Sequence, residues 1–196
     1  MKKTTIVLLV IGLVVLMFFG SIRTSYNKMV MMDEGVTAQW SQVENVYQRR
    51  ADLIPNLVNT VKGYAAHERE TFEAVINARA KATQVTVDPS KLDAAALQNF
   101  QEAQSGLSSA LGRLMVVMER YPDLKANENF RDLQAQLEGT ENRIAVERRK
   151  FNETAREFNT YIRKFPQTLF SSLFGFEKKA YFEAEKGAER APEVQF

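Results

Sequence analysis

The chain of 196 residues contains no cysteine, and that absence removes disulfides, thiolate metal sites and thiol nucleophiles together. Histidine is almost missing too. His67, in His67-Glu68-Arg69-Glu70, is the single example and lacks the second histidine of a zinc-protease helix. A lone imidazole without partners at fixed geometry is neither a metal site nor a general base, which leaves a solvated or hydrogen-bonded helical histidine. There is no glycine-rich phosphate loop and no Gly-x-Ser-x-Gly elbow. Nine glycines and five prolines are few, which suits helices better than a β sandwich. An excess of one charge sign is also missing. The net charge is +2, and nucleic acid is not expected as a partner. No internal repeat or low-complexity tract occurs. No residue is assigned a catalytic, cofactor-binding or metal-binding role, and no cofactor is expected.

What is present begins with an uncharged apolar run from Thr4 to Ile22. As a helix it reaches roughly 28 Å, enough to cross the hydrocarbon core of a bilayer. A cleaved signal peptide fits poorly, because cuts after Gly20 or Ser21 place Phe18 or Phe19 at the minus-three position. Residues 4–22 are therefore expected to be an uncleaved anchor whose partner is the lipid bilayer. Lys2 and Lys3 precede it, and Arg23 and Lys28 follow. The denser N-terminal charge predicts that the short tail stays in the cytoplasm and the C-terminal region crosses the membrane. No helix breaker follows before Gly35, so the anchor is expected to run on into a soluble helix as a stalk. The Met29-Val30-Met31-Met32 patch near the bilayer surface reads as core by default, with lipid contact or self-association as the alternatives.

From Val36 to Ala82 large apolar residues recur at Val36, Trp40, Val43, Tyr47, Ile54, Leu57, Val61, Tyr64, Phe72, Val75 and Ile76. Those steps put them on one face of a helix, which needs partner helices to stay folded. Pro55 removes a backbone donor inside this pattern and predicts a kink or short break at Leu53-Ile54. The helix should fade by Gln84. A loop over residues 84–91 follows, with Asp88 as N-cap and Pro89 as first helical residue. A second helix carries Leu92, Ala96, Phe100, Ala103, Leu107, Leu111, Leu114, Met118 and Tyr121, and stops at Tyr121-Pro122. Asn127 is a candidate N-cap for a third, which carries Phe130, Leu133, Leu137, Ile144, Phe151, Ala155, Phe158 and Ile162 and ends before Pro166. Gly139, mid-helix, predicts close approach of a neighbouring helix. Asn142, Asn152 and Asn159 lie on or near the seam, where they either fix register or form a solvated flank. Leu169, Phe170, Leu173 and Phe174 make a short, intensely apolar helical face. Capping of the bundle is favoured for it over a membrane-interface or subunit-joining role. Residues 183–196 read as a flexible tail, disordered from Gly187 onward.

Carboxylates are spread among Lys and Arg at helical steps, as at Glu147, Lys150 and Glu153, and read as solvated faces. The Arg49-Arg50 and Arg148-Arg149-Lys150 clusters are read the same way, since Asp52, Glu147 and Glu153 weaken their field.

Several ordered blocks carry a resemblance. They are Trp40-Ser41-Gln42-Val43, Arg49-Arg50-Ala51-Asp52-Leu53-Ile54-Pro55-Asn56-Leu57-Val58 and Thr60-Val61-Lys62-Gly63-Tyr64-Ala65-Ala66-His67-Glu68. Further on come Tyr121 to Phe130, Leu137-Glu138-Gly139-Thr140-Glu141-Asn142-Arg143-Ile144, Phe151-Asn152, Phe158-Asn159, Ile162, Phe165-Pro166 and Leu173-Phe174-Gly175-Phe176. With the anchor they cover nearly the whole chain up to Phe182, and the chain resembles a LemA family protein. The resemblance implies a bacterial, membrane-anchored, antiparallel bundle of long helices and no known enzymatic activity. Genes for TPM-domain envelope proteins often neighbour the family's own, which makes such a protein a partner to expect. Asp52, Glu141 and Arg143 lie within the best-matching blocks. Surface pairing is favoured for them over a buried ion pair between the first and third helices.

The expected fold is all-α: an N-terminal transmembrane helix (1–28, with the stalk start), then a domain (29–182) forming an elongated antiparallel bundle of three long helices plus a short C-terminal apolar helix. The expected function is a non-enzymatic, homo-oligomeric envelope scaffold in the bacterial cytoplasmic membrane. The alternative is an adaptor subunit for a membrane enzyme or TPM-domain protein.

Overall fold

The computed structural model describes residues 3–65 and 67–183. Within them the chain is all-helical, with no strand. Six α-helices occur: α1 (Lys3–Lys62), α2 (Arg69–Gln84), α3 (Ala94–Met118), α4 (Pro122–Ala126), α5 (Glu128–Arg163) and α6 (Gln167–Phe174). The tail expected over 183–196 lies outside the described residues except for Glu183.

α1 is 60 residues long, about 90 Å at the helical rise. Its apolar N-terminal third has no side chain buried against protein, and it meets the requirements of length and composition for a membrane span. The helix continues without interruption past Gly35, as the lack of breakers predicted. It also continues past Pro55, where a kink or short break was expected, without a break. Proline removes the hydrogen bond to the carbonyl four residues back, here that of Ala51. Arg79 of α2 supplies the replacement, donating from Nε to Ala51 O at 2.7 Å. The helix stays whole because a neighbour fills the gap.

The break comes instead at Gly63, so the single helix read over 36–82 is two. Tyr64 and Ala65 both donate to Val61 O, closing the last turn of α1, and Glu68 N–H bonds back to Ala65 O. Phe72, Val75 and Ala82 of α2 then pack beside Leu57 and Val61 in one core. Both helices serve that core, so the apolar rhythm runs through the turn and conceals it.

The next loop also differs in detail. Asp88 caps only the 3-10 turn Pro89–Lys91, while Asp93 caps α3 by accepting from Ala96 N–H at 2.7 Å. The third long helix begins where predicted: Asn127 accepts from Phe130 N–H at 3.0 Å. Gly139 is exposed, and a Cβ there would meet nothing within 4 Å, so no close helix approach explains it.

α5 packs along α1, and α3 along α2. Lys28 lies under Tyr161, Gly35 by Thr154, Trp40 against Phe151 and Arg50 beside Glu141, so numbering falls along α5 as it rises along α1. Two apolar cores result. One is built on Met29, Val36, Trp40, Val43 and Tyr47, with Phe100, Phe151, Phe158 and Phe182. The other is built on Ile54, Leu57, Val58 and Val61, with Phe72, Leu107, Leu114 and Phe130. Of the methionine patch, Met29 is core, Met32 packs against it and Met31 is exposed.

The C-terminal segment closes the first core. Gly175 ends α6 in the left-handed region at φ 76°, which glycine adopts without steric cost, and Phe176 N–H returns to Ser171 O at 2.9 Å. Residues 176–183 then run extended along α5. Asn159 accepts from Lys179 N–H and donates to Lys179 O, both at 2.8 Å. Asn152 accepts from Phe182 N–H at 2.8 Å and donates to Phe182 O at 2.9 Å. Seven helical residues span about 10.5 Å and three extended ones about 10 Å, so the two amides match the strap's repeat. Phe182 thereby stacks on Trp40, ring centres 5.9 Å apart.

Candidate functional site

Counting from Tyr47 along α1, the inward face takes positions 50, 51 and 54, and position 50 is an arginine. Arg50 is 2% exposed, which overturns its reading as part of a solvated cluster; Arg49 beside it does face solvent. The guanidinium lies between the two apolar cores. Nη1 donates to Glu141 Oε2 at 2.7 Å and to Ser108 Oγ at 2.9 Å. Nη2 donates to Gln104 Oε1 at 2.7 Å and to Gln104 O at 3.4 Å. Gln104 in turn donates to Ala82 O at 3.2 Å, so α1, α2, α3 and α5 all meet in this layer. Nε has no acceptor, and the Tyr47 ring sits 5.1 Å from the guanidinium carbon. A buried, unmatched N–H costs about 1–3 kcal/mol, and a cation over an aromatic face recovers part of it.

Of the charged residues singled out in the sequence, only Glu141 joins this layer. Its partner is Arg50, so the pair does join the first and third long helices, and since the carboxylate is 57% exposed it is buried at one end only. Asp52 points away and accepts from Gln48 on its own helix at 2.8 Å. Arg143 is exposed. The signal for Arg50 was in the sequence: the step of three from Tyr47 and four to Ile54 is the stripe itself.

A groove of about 570 Å³ opens over the layer, lined by Tyr47, Arg50, Gln101, Ser105, Ser108, Glu141, Arg148 and Glu183 among others. Burial pushes the Tyr47 hydroxyl above its ordinary range, against the opposing pull of Arg148 and Arg50. Arg148 reaches across to donate to Glu183 O at 2.8 Å and lies 4.9 Å from the Phe182 ring centre, so it too belongs to the strap rather than to a free basic face. The groove's lining presents hydrogen-bond donors and mixed charges. It has no imidazole, and Ser108 is occupied as an acceptor from Arg50 rather than poised against a base. His67 is exposed at the α1–α2 turn, at the far end of the rod. No cluster of three metal-ligating side chains occurs among the described residues. Such a lining can hold and orient a polar group.

Two further buried charges lie toward the anchor. Glu147, read as solvated, is buried and accepts from Gln39 at 2.9 Å and from Lys150 at 3.0 Å. The Lys150 bond holds its carboxyl below the ordinary range, with Gln39 adding to this and burial opposing. Lys179, on the strap, sits 2.9 Å from Asp33 of α1 and donates to Ser90 O at 3.2 Å. Asn152 and Asn159, flagged as seam residues, hold the strap instead of setting helix register; Asn142 is exposed.

The chain is similar to several known proteins over most of its length. The chain is 29% identical over 197 residues to magnetosome protein MamQ 1 of Paramagnetospirillum magneticum, covering 91% of this chain and 71% of that one. It is 30% identical over 192 residues to magnetosome protein MamQ of Magnetospirillum gryphiswaldense, covering 89% and 70%. It is 25% identical over 146 residues to protein LemA of Metamycoplasma hominis, covering 74% and 63%. The profile of the LemA family matches residues 39–196, from the residue before Trp40 through the arginine layer and the strap, and the chain belongs to the LemA family.

Proposed function

We infer that the chain is a non-enzymatic scaffold of the bacterial cell envelope, an antiparallel helical rod anchored in the cytoplasmic membrane by residues 4–22. The observation that carries this reading is the continuity of α1 from a bare apolar span into the centre of both cores. Ser25 and Met29 are already buried, so the domain grips its own anchor within two turns of the span and has no pivot there. A rod held at one attitude in a plane is suited to meeting its copies side by side, and confinement raises their effective concentration. Homo-oligomeric assembly is part of the proposal. Light scattering on the full chain in mild detergent is expected to give a multiple of 22.3 kDa after detergent is subtracted. A strictly monomeric particle overturns the assembly. The rod is placed on the extracytoplasmic side; a single cysteine introduced near residue 183 is expected to react with an impermeant thiol reagent on intact cells, and protection there overturns the orientation.

The groove favours a second reading, an adaptor for a membrane enzyme or a TPM-domain envelope protein. Fixed donors at mid-rod suit a polar segment of a partner. Cross-linking in native membranes separates the two: links to one other protein support the adaptor, and self-links alone dismiss it.

A further inference from the structure

Helix α6 does two jobs at once. Its inner face closes the first core, with Phe170 buried and Ser171 Oγ donating to Ile162 O at 3.1 Å, as the capping role requires. Its outer face is left bare. Leu173 is 74% exposed, Leu169 60% and the preceding Phe165 81%. Residues 165–176 contain no charged side chain. Such a surface in water is a liability, and what covers it is set by where it sits.

Phe170 meets Phe18 of α1, ring centres 6.3 Å apart and edge to face. Phe174 and Phe176 meet Tyr26 at 4.9 and 5.9 Å. Phe18 lies four residues inside the end of the apolar run at Ile22, about 6 Å deep along the helix. The Phe170 end of α6 is therefore level with the last turn of the span and the Phe174 end with the turn after it, so Leu169 and Leu173 sit where acyl chains give way to headgroups. Basic residues border the patch on both sides: exposed Arg163 and Lys164 before it and Lys178 after it, with Arg23 and Lys28 on α1. Of the neighbouring acids on the same segment, only Glu177 offsets them. Tyr26 and Tyr161 stand at the same level, an amphipathic ring position typical of a membrane surface.

We propose that α6 is a second membrane-contacting element, a short wedge whose Phe165, Leu169 and Leu173 lie among lipid acyl chains while the flanking lysines and arginines meet anionic headgroups. This rests on residues 4–22 spanning the bilayer, and it gives the domain two points of contact with the membrane instead of one. The consequence is a fixed tilt and a fixed rotation of the rod about its anchor.

The cysteine-free sequence allows a direct test. Single cysteines replace Leu173, Val14 in the span and Val116, an exposed residue of α3, each in the full chain and each carrying an environment-sensitive fluorophore. The proteins are reconstituted in vesicles of phosphatidylcholine and phosphatidylglycerol containing lipids spin-labelled near the glycerol end of the chain. The expected result is quenching at Leu173→Cys and Val14→Cys, about threefold or more above that at Val116→Cys. Quenching at Val14→Cys with only background at Leu173→Cys overturns the wedge and leaves the anchor standing. Background at both overturns the anchor, and the wedge with it. Excimer fluorescence from pyrene at Leu173→Cys in vesicles holding few proteins each shows a second copy on this face and also overturns the lipid assignment.

Discussion

Arg50 is held by groups from two other helices and yet leaves its Nε without an acceptor. Truncating it strands Gln104 and Ser108 and opens a cavity between the cores. Arg50→Ala is expected to cost about 3 kcal/mol in denaturant unfolding. The double variant Arg50→Met with Gln104→Leu, which fills the same space with apolar atoms, is expected to be within about 1 kcal/mol of the parent or more stable. If it loses as much as Arg50→Ala, the layer stabilises rather than specifies. Glu147 gives a pH test. Its carboxyl titrates below the ordinary range in the folded chain, so the unfolded chain binds that proton more readily. The stabilisation is complete above the ordinary carboxylate range and is lost as pH falls through the depressed folded value. Glu147→Gln should therefore lower Tm at neutral pH, with the gap to the parent closing as pH falls below the ordinary carboxylate range. A gap independent of pH dismisses the carboxylate as its source. Both residues are inward by position and were masked by type: periodicity put them on the buried stripe, while charge and charged neighbours argued for solvent.

At the scale of elements, α1 survives Pro55 because Arg79 serves the Ala51 carbonyl. That dependence is measurable as a coupling. Arg79→Met is expected to cost about 1–2 kcal/mol in the parent and close to nothing beside Pro55→Ala, which restores the helix's own donor. Equal costs in both backgrounds mean that the guanidinium acts elsewhere. The strap is a second test. Asn152→Ala and Asn159→Ala each remove a paired amide, and each is expected to speed hydrogen exchange at the Phe182 or Lys179 amide it holds by at least about tenfold. Unchanged exchange at both sites refutes the clamp. Helix caps and ends were legible where chemistry marks them: Asn127 and the stop before Pro166. The turn at Gly63 was not, because two helices lining one core keep a single apolar phase. Nor was the strap, since an extended segment held by side-chain amides leaves no period of its own.

The whole molecule is a long helix dressed by its own chain. The apolar stripe of the long helix was expected to need partner helices, from the rest of the chain or from neighbouring copies. In the structure α2, α3, α5 and the strap cover the apolar stripe of α1 beyond the span, and large exposed apolar residues concentrate in the span and around α6. The class of the fold was legible from composition and rhythm, and so was an apolar N-terminal helix; the pairing of helices around a polar middle layer was not, as it depends on which residues meet across 58 and 91 positions. An unbroken α1 has a geometric signature. Spin labels on Val15→Cys and Gln48→Cys are 33 residues apart, and a single narrow distance near 50 Å is expected between them in vesicles. A broad distribution would mean that the stalk bends at the membrane surface.

Phe182 arrives after every helix of the described chain, yet it completes the wall around an indole that entered near the beginning. A nascent molecule stopped short of the strap keeps Trp40 partly uncovered and the two asparagine amides unmatched, however well its helices have formed. Chains truncated before the strap are therefore expected to be cut by protease more readily than the full chain, whose interior the strap seals.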